Sequence, residues 1–211
     1  MIKYIATKIF CLFCFSISGQ CDSTKYTKSK AKYVVGFIPS RAKKIYGISL
    51  GLIGSETALC HDGYTQVSDG LNIQIFGEGF MQMFYIGHHP FVKAYKNNDD
   101  STFKVLESQT FKVIHNGFLI SPFGTFTDQI NGISISGFMS LGVRMNGLSI
   151  NALWNAYIEQ NGIVIGLVNY TIYSRGIQIG LINKTVKLKG IQIGLWNKND
   201  KRSLPLINWD F

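Results

Sequence analysis

Acidic residues are scarce in this chain. Twelve Asp and Glu stand against 21 Lys and Arg, and charged side chains make up only 16% of 211 residues. So thin and basic a charge supply excludes a salt-bridge-laced helical array and an acidic disordered tail. Proline is down to four and cysteine to four, so a disulfide-dense scaffold is excluded too. No G-x-S-x-G elbow, no P-loop and no dinucleotide fingerprint occurs. No His-x3-His spacing or structural-zinc cysteine pairing occurs either. The longest apolar run, Ile9–Ile17, is too short to cross a bilayer as a helix.

Present instead are 22 glycines and 46% hydrophobic residues, a composition suited to an all-β chain with many tight turns. One phrase is repeated over 147–200: NGLSINALWNAYIEQ, NGIVIGLVNYTIYS, RGIQIGLINKTVKL, KGIQIGLWNKND. Gly147, Gly162, Gly176 and Gly190 open the copies, 15, 14 and 14 residues apart. Asn155, Asn169, Asn183 and Asn197 recur every 14. A fixed period marks stacked units that cannot bury a face alone. Weaker echoes at 46–54, 69–79, 116–124 and 131–145 add Gly47, Gly70, Gly117 and Gly132, for eight copies. The gaps of 23 and 47 residues after the first two imply inserted loops.

Within Gly176–Lys189, Ile177, Ile179 and Leu181 alternate with Gln178 and Gly180, the period of a strand. Asn183, Lys184 and Thr185 predict a turn. Val186 and Leu188 resume the alternation, so each repeat reads as two strands of about seven residues. The expected fold is a β-solenoid, or β-roll, of 14–15-residue two-strand repeats. Its core would be the rows Ile163/Ile177/Ile191 and Ile165/Ile179/Ile193. Val143, Ile158, Ile172 and Val186 would form a row of their own. The asparagines would form an amide ladder at a corner, and the glycines would serve positive φ or close backbone approach. Ile179→Asp is then expected to cost several kcal/mol. The alternative is an outer-membrane β-barrel of about eight strands, with Ile/Leu rows facing lipid. Seven-residue strands are short for it, since about 9–11 are needed to cross.

Residues 1–20 read as a signal peptide: Lys3 and Lys8, the apolar run, then Ser16, Ser18 and Gly19. Its loss takes the formal charge from +9 to +7. Cys21 and Cys60 remain; Cys21 is a candidate for lipidation, or the two could pair, or stay separate thiols. Residues 21–45 form a basic leader, 46–211 a single repeat domain, and 80–112 an inserted loop. A leader of this kind is expected to be a solvated segment, with an anionic surface as the alternative partner. Export argues against nucleic acid. Loops on a repeat scaffold are where binding usually sits, which directs attention to 80–112.

The residues Trp209-Asp210-Phe211 resemble the terminal signal of outer-membrane barrels, and equally suit a hydrophobic cap on a last coil. Pro205 suits an edge strand. Among possible chemistries, His88 and His89 are weak metal candidates, and His61 and His115 complete the histidines. Adjacent histidines in a strand point to opposite faces, so they could share an ion only in a loop. Glu78, between Gly77 and Gly79, has no partner carboxylate evident. No catalytic residue and no cofactor is assigned.

The repeated NG[IL]-x-[IL] and GIQIGLxN units and the ending KRSLPLINWDF resemble the bacterial surface repeat-containing protein family of spirochaetes and Bacteroidetes-type bacteria. The resemblance covers roughly 45–211. It implies an exported protein of the outer membrane or cell surface, with the periplasm as the alternative location. It implies no characterised biochemical role; the role expected here is structural or interactive, without catalysis, with a membrane or envelope surface, protein or glycan as partner. A barrel would instead anchor or transport, and a metal-dependent enzyme using 80–112 is a distant third. Oligomeric state is left open.

Overall fold

The computed structural model describes residues 31–38, 42–52, 66–77 and 113–211. Ten strands follow in chain order: β1 (Lys32–Ile38), β2 (Lys44–Gly51), β3 (Gln66–Gln74), β4 (Val113–Ser121), β5 (Gly124–Ser136), β6 (Met139–Asn151), β7 (Trp154–Ile165), β8 (Val168–Ile179), β9 (Ile182–Lys198) and β10 (Ser203–Asp210). Each pairs with the next. From β1 to β9 every pairing is parallel, and each residue faces its equivalent one repeat later, as Gly162 faces Gly176 and Ile163 faces Ile177. The molecule is a parallel β-solenoid of about seven turns. The barrel alternative is thereby corrected, since neighbouring strands of a membrane barrel run antiparallel.

The stack is set by its corners. Gly47, Gly70, Gly117, Gly132, Gly147, Gly162, Gly176 and Gly190 pair in one continuous row, every one at φ between 101° and 150°. A Cβ on Gly176 would stand 2.0 Å from the Gly162 carbonyl oxygen, so neither the torsion nor the spacing admits a side chain. The row extends one coil into the segment expected to be a leader, where Val34 faces Gly47 and takes φ 77°. The inserted segments at 53–65 and 78–112 interrupt the sequence but not the register: Gly47, Gly70 and Gly117 still face one another.

Three expectations about the repeat are corrected. The coil is not split into two seven-residue strands. β7 and β8 each run 12 residues through the corner glycine, and the pairing skips only Ile158 and Ile172. The turn lies at Gly180–Leu181, not at Asn183–Thr185; Asn183 and Thr185 are strand residues facing inward. Most consequentially, the isoleucine rows are not the core. Ile163 is 37% exposed, Ile179 37% and Ile193 42%, while Val164, Gln178 and Gln192 are fully buried.

The physical reason lies at the turn. A Cβ on Gly180 would meet the Gly166 carbonyl oxygen at 2.1 Å and the Asn169 amide nitrogen at 2.6 Å. The space inside the turn is filled by the asparagine side chains, so glycine must face inward there. Alternation then carries Gln178 inside with it and turns Ile179 and Leu181 out.

Polar ladders fill much of the interior. Asn155 Nδ2 donates to Asn169 Oδ1 at 2.8 Å, Asn169 to Asn183 at 2.7 Å and Asn183 to Asn197 at 2.7 Å. Each also ties its own coil shut: Asn169 donates to the Ile179 carbonyl and Asn183 to that of Ile193, both at 2.9 Å. Gln192 donates to Gln178 and Gln178 to Gln160, at 2.8 and 3.0 Å. Thr171, Ser174 and Thr185 cross-link them. Burial without partners would make such amides costly, and the ladder supplies the partners. Leu119, Ile130, Met145, Tyr157 and Val164 form an apolar segment inside the middle coils.

Candidate functional site

With the interior closed by its own hydrogen bonds, the side chains left for a partner are those outside. Three rows face outward along the short arm of the coil. Phe118, Ile133, Leu148, Ile163, Ile177 and Ile191 face one another in the first. Ile120, Ile135, Ile150, Ile165, Ile179 and Ile193 do so in the second. The third runs along the turn, through Phe76, Phe123, Phe138, Leu153, Leu167, Leu181 and Leu195. Phe123 stacks between Phe76 and Phe138 with centroids 5.8 and 6.0 Å away. The exposed members include Phe118 at 52%, Leu181 at 47% and Leu195 at 63%. Three alternate positions span about 13 Å, and the rows from β2 to β9 extend about 34 Å at the usual strand spacing. A continuous apolar face of that size is beyond the scatter of single exposed hydrophobes normal on a surface.

The long arm carries a second apolar cluster. Met139, Leu141, Ala156, Ile158 and Ile172 are buried, with Trp154, Tyr170, Tyr173, Val143 and Val186 packed against them. The row Val143/Ile158/Ile172/Val186 lies here. The pairing skips this position, and these side chains pack against one another. Trp154 meets Tyr170 edge-on at 5.5 Å, and Lys184 and Lys187 sit over Tyr170 and Tyr173, both at 5.3 Å.

A ladder missed by the sequence reading stands just before the corner glycines. Asn116 donates to Asp69, Asn131 to Asn116, Asn146 to Asn131 and Asn161 to Asn146, at 2.5 to 2.8 Å. The recurring Asn-Gly dipeptide was the available signal. Beside it Glu159 receives Arg144 Nε at 2.7 Å and Arg175 at 3.3 Å. Burial pushes the Glu159 carboxyl up, but the hydrogen bonds from Arg144 and Asn161 and the two guanidinium charges outweigh it and hold it below its usual range. The spacing of Arg144 and Glu159, one repeat apart, was the clue.

His115 is the inward residue of its row, buried beside Ser68 and Asn72. The Asn72 amide nitrogen and Ser68 Oγ lie 2.9 and 2.5 Å from its Nδ1. Burial lowers its pKa to about 4. Tyr157, hydrogen-bonded to Ser140 and Ser149, is pushed up to about 12, again by burial first. Both groups keep their neutral forms inside the coil and support it.

The C-terminal candidates separate. β10 runs antiparallel to β9 and covers the edge of its second half, 190–198. Asn208, not Trp209, faces inward: it donates to Gln192 at 2.9 Å and ends the glutamine ladder. Trp209 is half exposed under Arg202, whose guanidinium lies 4.8 Å from the ring centroid, and Phe211 is 83% exposed. Phe211 is therefore not a plug in the last coil. Pro205 falls at the bulge of this edge strand, beside Leu206 at φ 65°. The segment 1–20 expected to be a signal, Cys21, Cys60, His61, Glu78, His88, His89 and the whole of the loop expected at 80–112 lie outside the described residues. Among the described residues no three His, Cys, Asp or Glu side chains come together as a metal site. No family model, curated protein or solved structure matches the chain.

Proposed function

We propose that this is an exported repeat protein of the cell envelope or surface, acting through its faces rather than by catalysis. The observation that supports it best is the inverted coil. Among the described residues, the Asn, Gln, Ser and Thr rows of the coil are turned inward, and many of them are bonded to one another. The surface left for partners is an apolar wall repeated coil after coil. A scaffold of this kind presents one extended, uniform face, the usual use of a solenoid. The basic, apolar leader at 1–20 and the resemblance to surface repeat proteins agree with export.

The test is fractionation of cells expressing the intact chain, with protease added outside. Processing near 19–21 and recovery with the envelope support the proposal. An unprocessed chain recovered in the cytosol overturns it.

A further inference from the structure

We infer that the apolar wall docks on an anionic lipid surface, led by the last coils. The inference rests on the envelope reading and names its partner.

Charge along the array is strongly uneven. Between 113 and 174 the only charged side chains are Asp128, Arg144 and Glu159. Between 175 and 211 seven Lys and Arg stand against Asp200 and Asp210. The cations border the wall on both sides. Arg175 and Lys189 precede the corner glycines and lie next to the row of Ile177 and Ile191. Lys184 and Lys198 lie just past the turn that carries Leu181 and Leu195. Arg175 contacts Glu159, but Glu159 is shared with Arg144, so the corner keeps a net positive charge. Leu195, at 63% the most exposed member of the three rows, lies in this basic end of the array.

That pairing is the chemistry of an interfacial lipid binder: an apolar strip for the acyl boundary, cations at its rim for phosphate headgroups, and tryptophan between them. The wall offers no hydrogen-bonding side chain in its three rows. A protein interface of this size carries several direct hydrogen bonds. A second copy would also bring one net-positive chain against another, whereas an anionic bilayer complements the charge.

The test is cosedimentation of the purified protein with vesicles of phosphatidylcholine alone and of equal parts phosphatidylcholine and phosphatidylglycerol. Two variants accompany it, both checked by circular dichroism. One replaces the wall (Ile165→Ser, Ile179→Ser, Ile193→Ser), the other the rim (Arg175→Gln, Lys184→Gln, Lys189→Gln, Lys198→Gln). The protein is expected to bind the anionic vesicles roughly tenfold or more tightly than the neutral ones. The rim variant loses that preference, and the wall variant loses binding to both. Equal binding to both vesicles overturns the inference. So does self-association that the wall variant abolishes, with no vesicle binding, which would make a second copy the partner. Because the vesicles are supplied to purified protein, the result stands apart from where the cell places the chain.

Discussion

Glycine and asparagine carry the coil at the level of single residues. Gly176→Ala would set a Cβ against the Gly162 carbonyl at a torsion L-residues avoid, so it is expected to cost about 2 kcal/mol or more, read by chemical denaturation. Val34 is the converse case. It holds the glycine position of the first coil at φ 77° and is 74% exposed, so its side chain loses little on removal. Val34→Gly should raise stability by about 1 kcal/mol, the relief of an unfavourable torsion offset by backbone entropy. Asn183→Ala leaves Asn169 and Asn197 each short of a partner and should cost about 1–3 kcal/mol. Ile179→Asp, once expected to cost several, should now cost about 0.5 kcal/mol in lipid-free protein, because Ile179 faces out.

The residue scale also sets a pH dependence. The folded pKa of His115, about 4, lies below its ordinary 6.5. In that window the unfolded chain takes up a proton that the buried imidazole refuses, so stability rises with pH. It should be complete above pH 6.5 and fall as pH drops towards 4, by on the order of 3 kcal/mol. In His115→Gln the denaturation midpoint should lose most of that slope. An unchanged slope would assign it to other groups.

Among the elements, β10 has a task that its sequence half disclosed. Pro205 signalled an edge, and the terminal aromatics suggested a cap, but the capping group is Asn208. The ladder ends on the Gln192 amide oxygen, which needs an inward donor; Asn208 faces inward and supplies it, while Trp209 faces out. Removing 203–211 uncovers the edge of β9 and the end of the glutamine ladder. The shortened chain is expected to associate in a concentration-dependent way, measured by sedimentation velocity. A monodisperse monomer would show that β10 does not protect that edge.

The repeat itself was legible at this scale because equal spacing needs no packing information. Gly-to-Gly intervals located β2 to β9, and across the 23- and 47-residue gaps Gly47, Gly70 and Gly117 stay in register. The turn was misplaced because Asn183 is a turn former by habit. Here its side chain reaches back across a turn made by Gly180 and Leu181.

For the whole molecule, the wall follows from one choice of face. Alternation shows which side chains share a side, never which side is inside. Hydrophobic residues go inward by default, and that default placed Ile177 and Ile179 in the core. What overrides it is a set of amides that satisfy one another only when stacked at the strand spacing. Those amides leave no room for a Cβ at Gly166, Gly180 or Gly194. The shared parity of Gly176, Gln178 and Gly180 was the sign, visible only once the glycines are known to be crowded.

That inversion is tested most directly by thiol accessibility in a background with Cys11, Cys14, Cys21 and Cys60 each replaced by serine, comparing Ile179→Cys with Gln178→Cys in lipid-free protein. Ile179→Cys is expected to react with a maleimide at the rate of an exposed thiol. Gln178→Cys should stay protected until denaturant unfolds the coil. Rapid labelling at 178 with protection at 179 would return the isoleucines to the core and remove the wall.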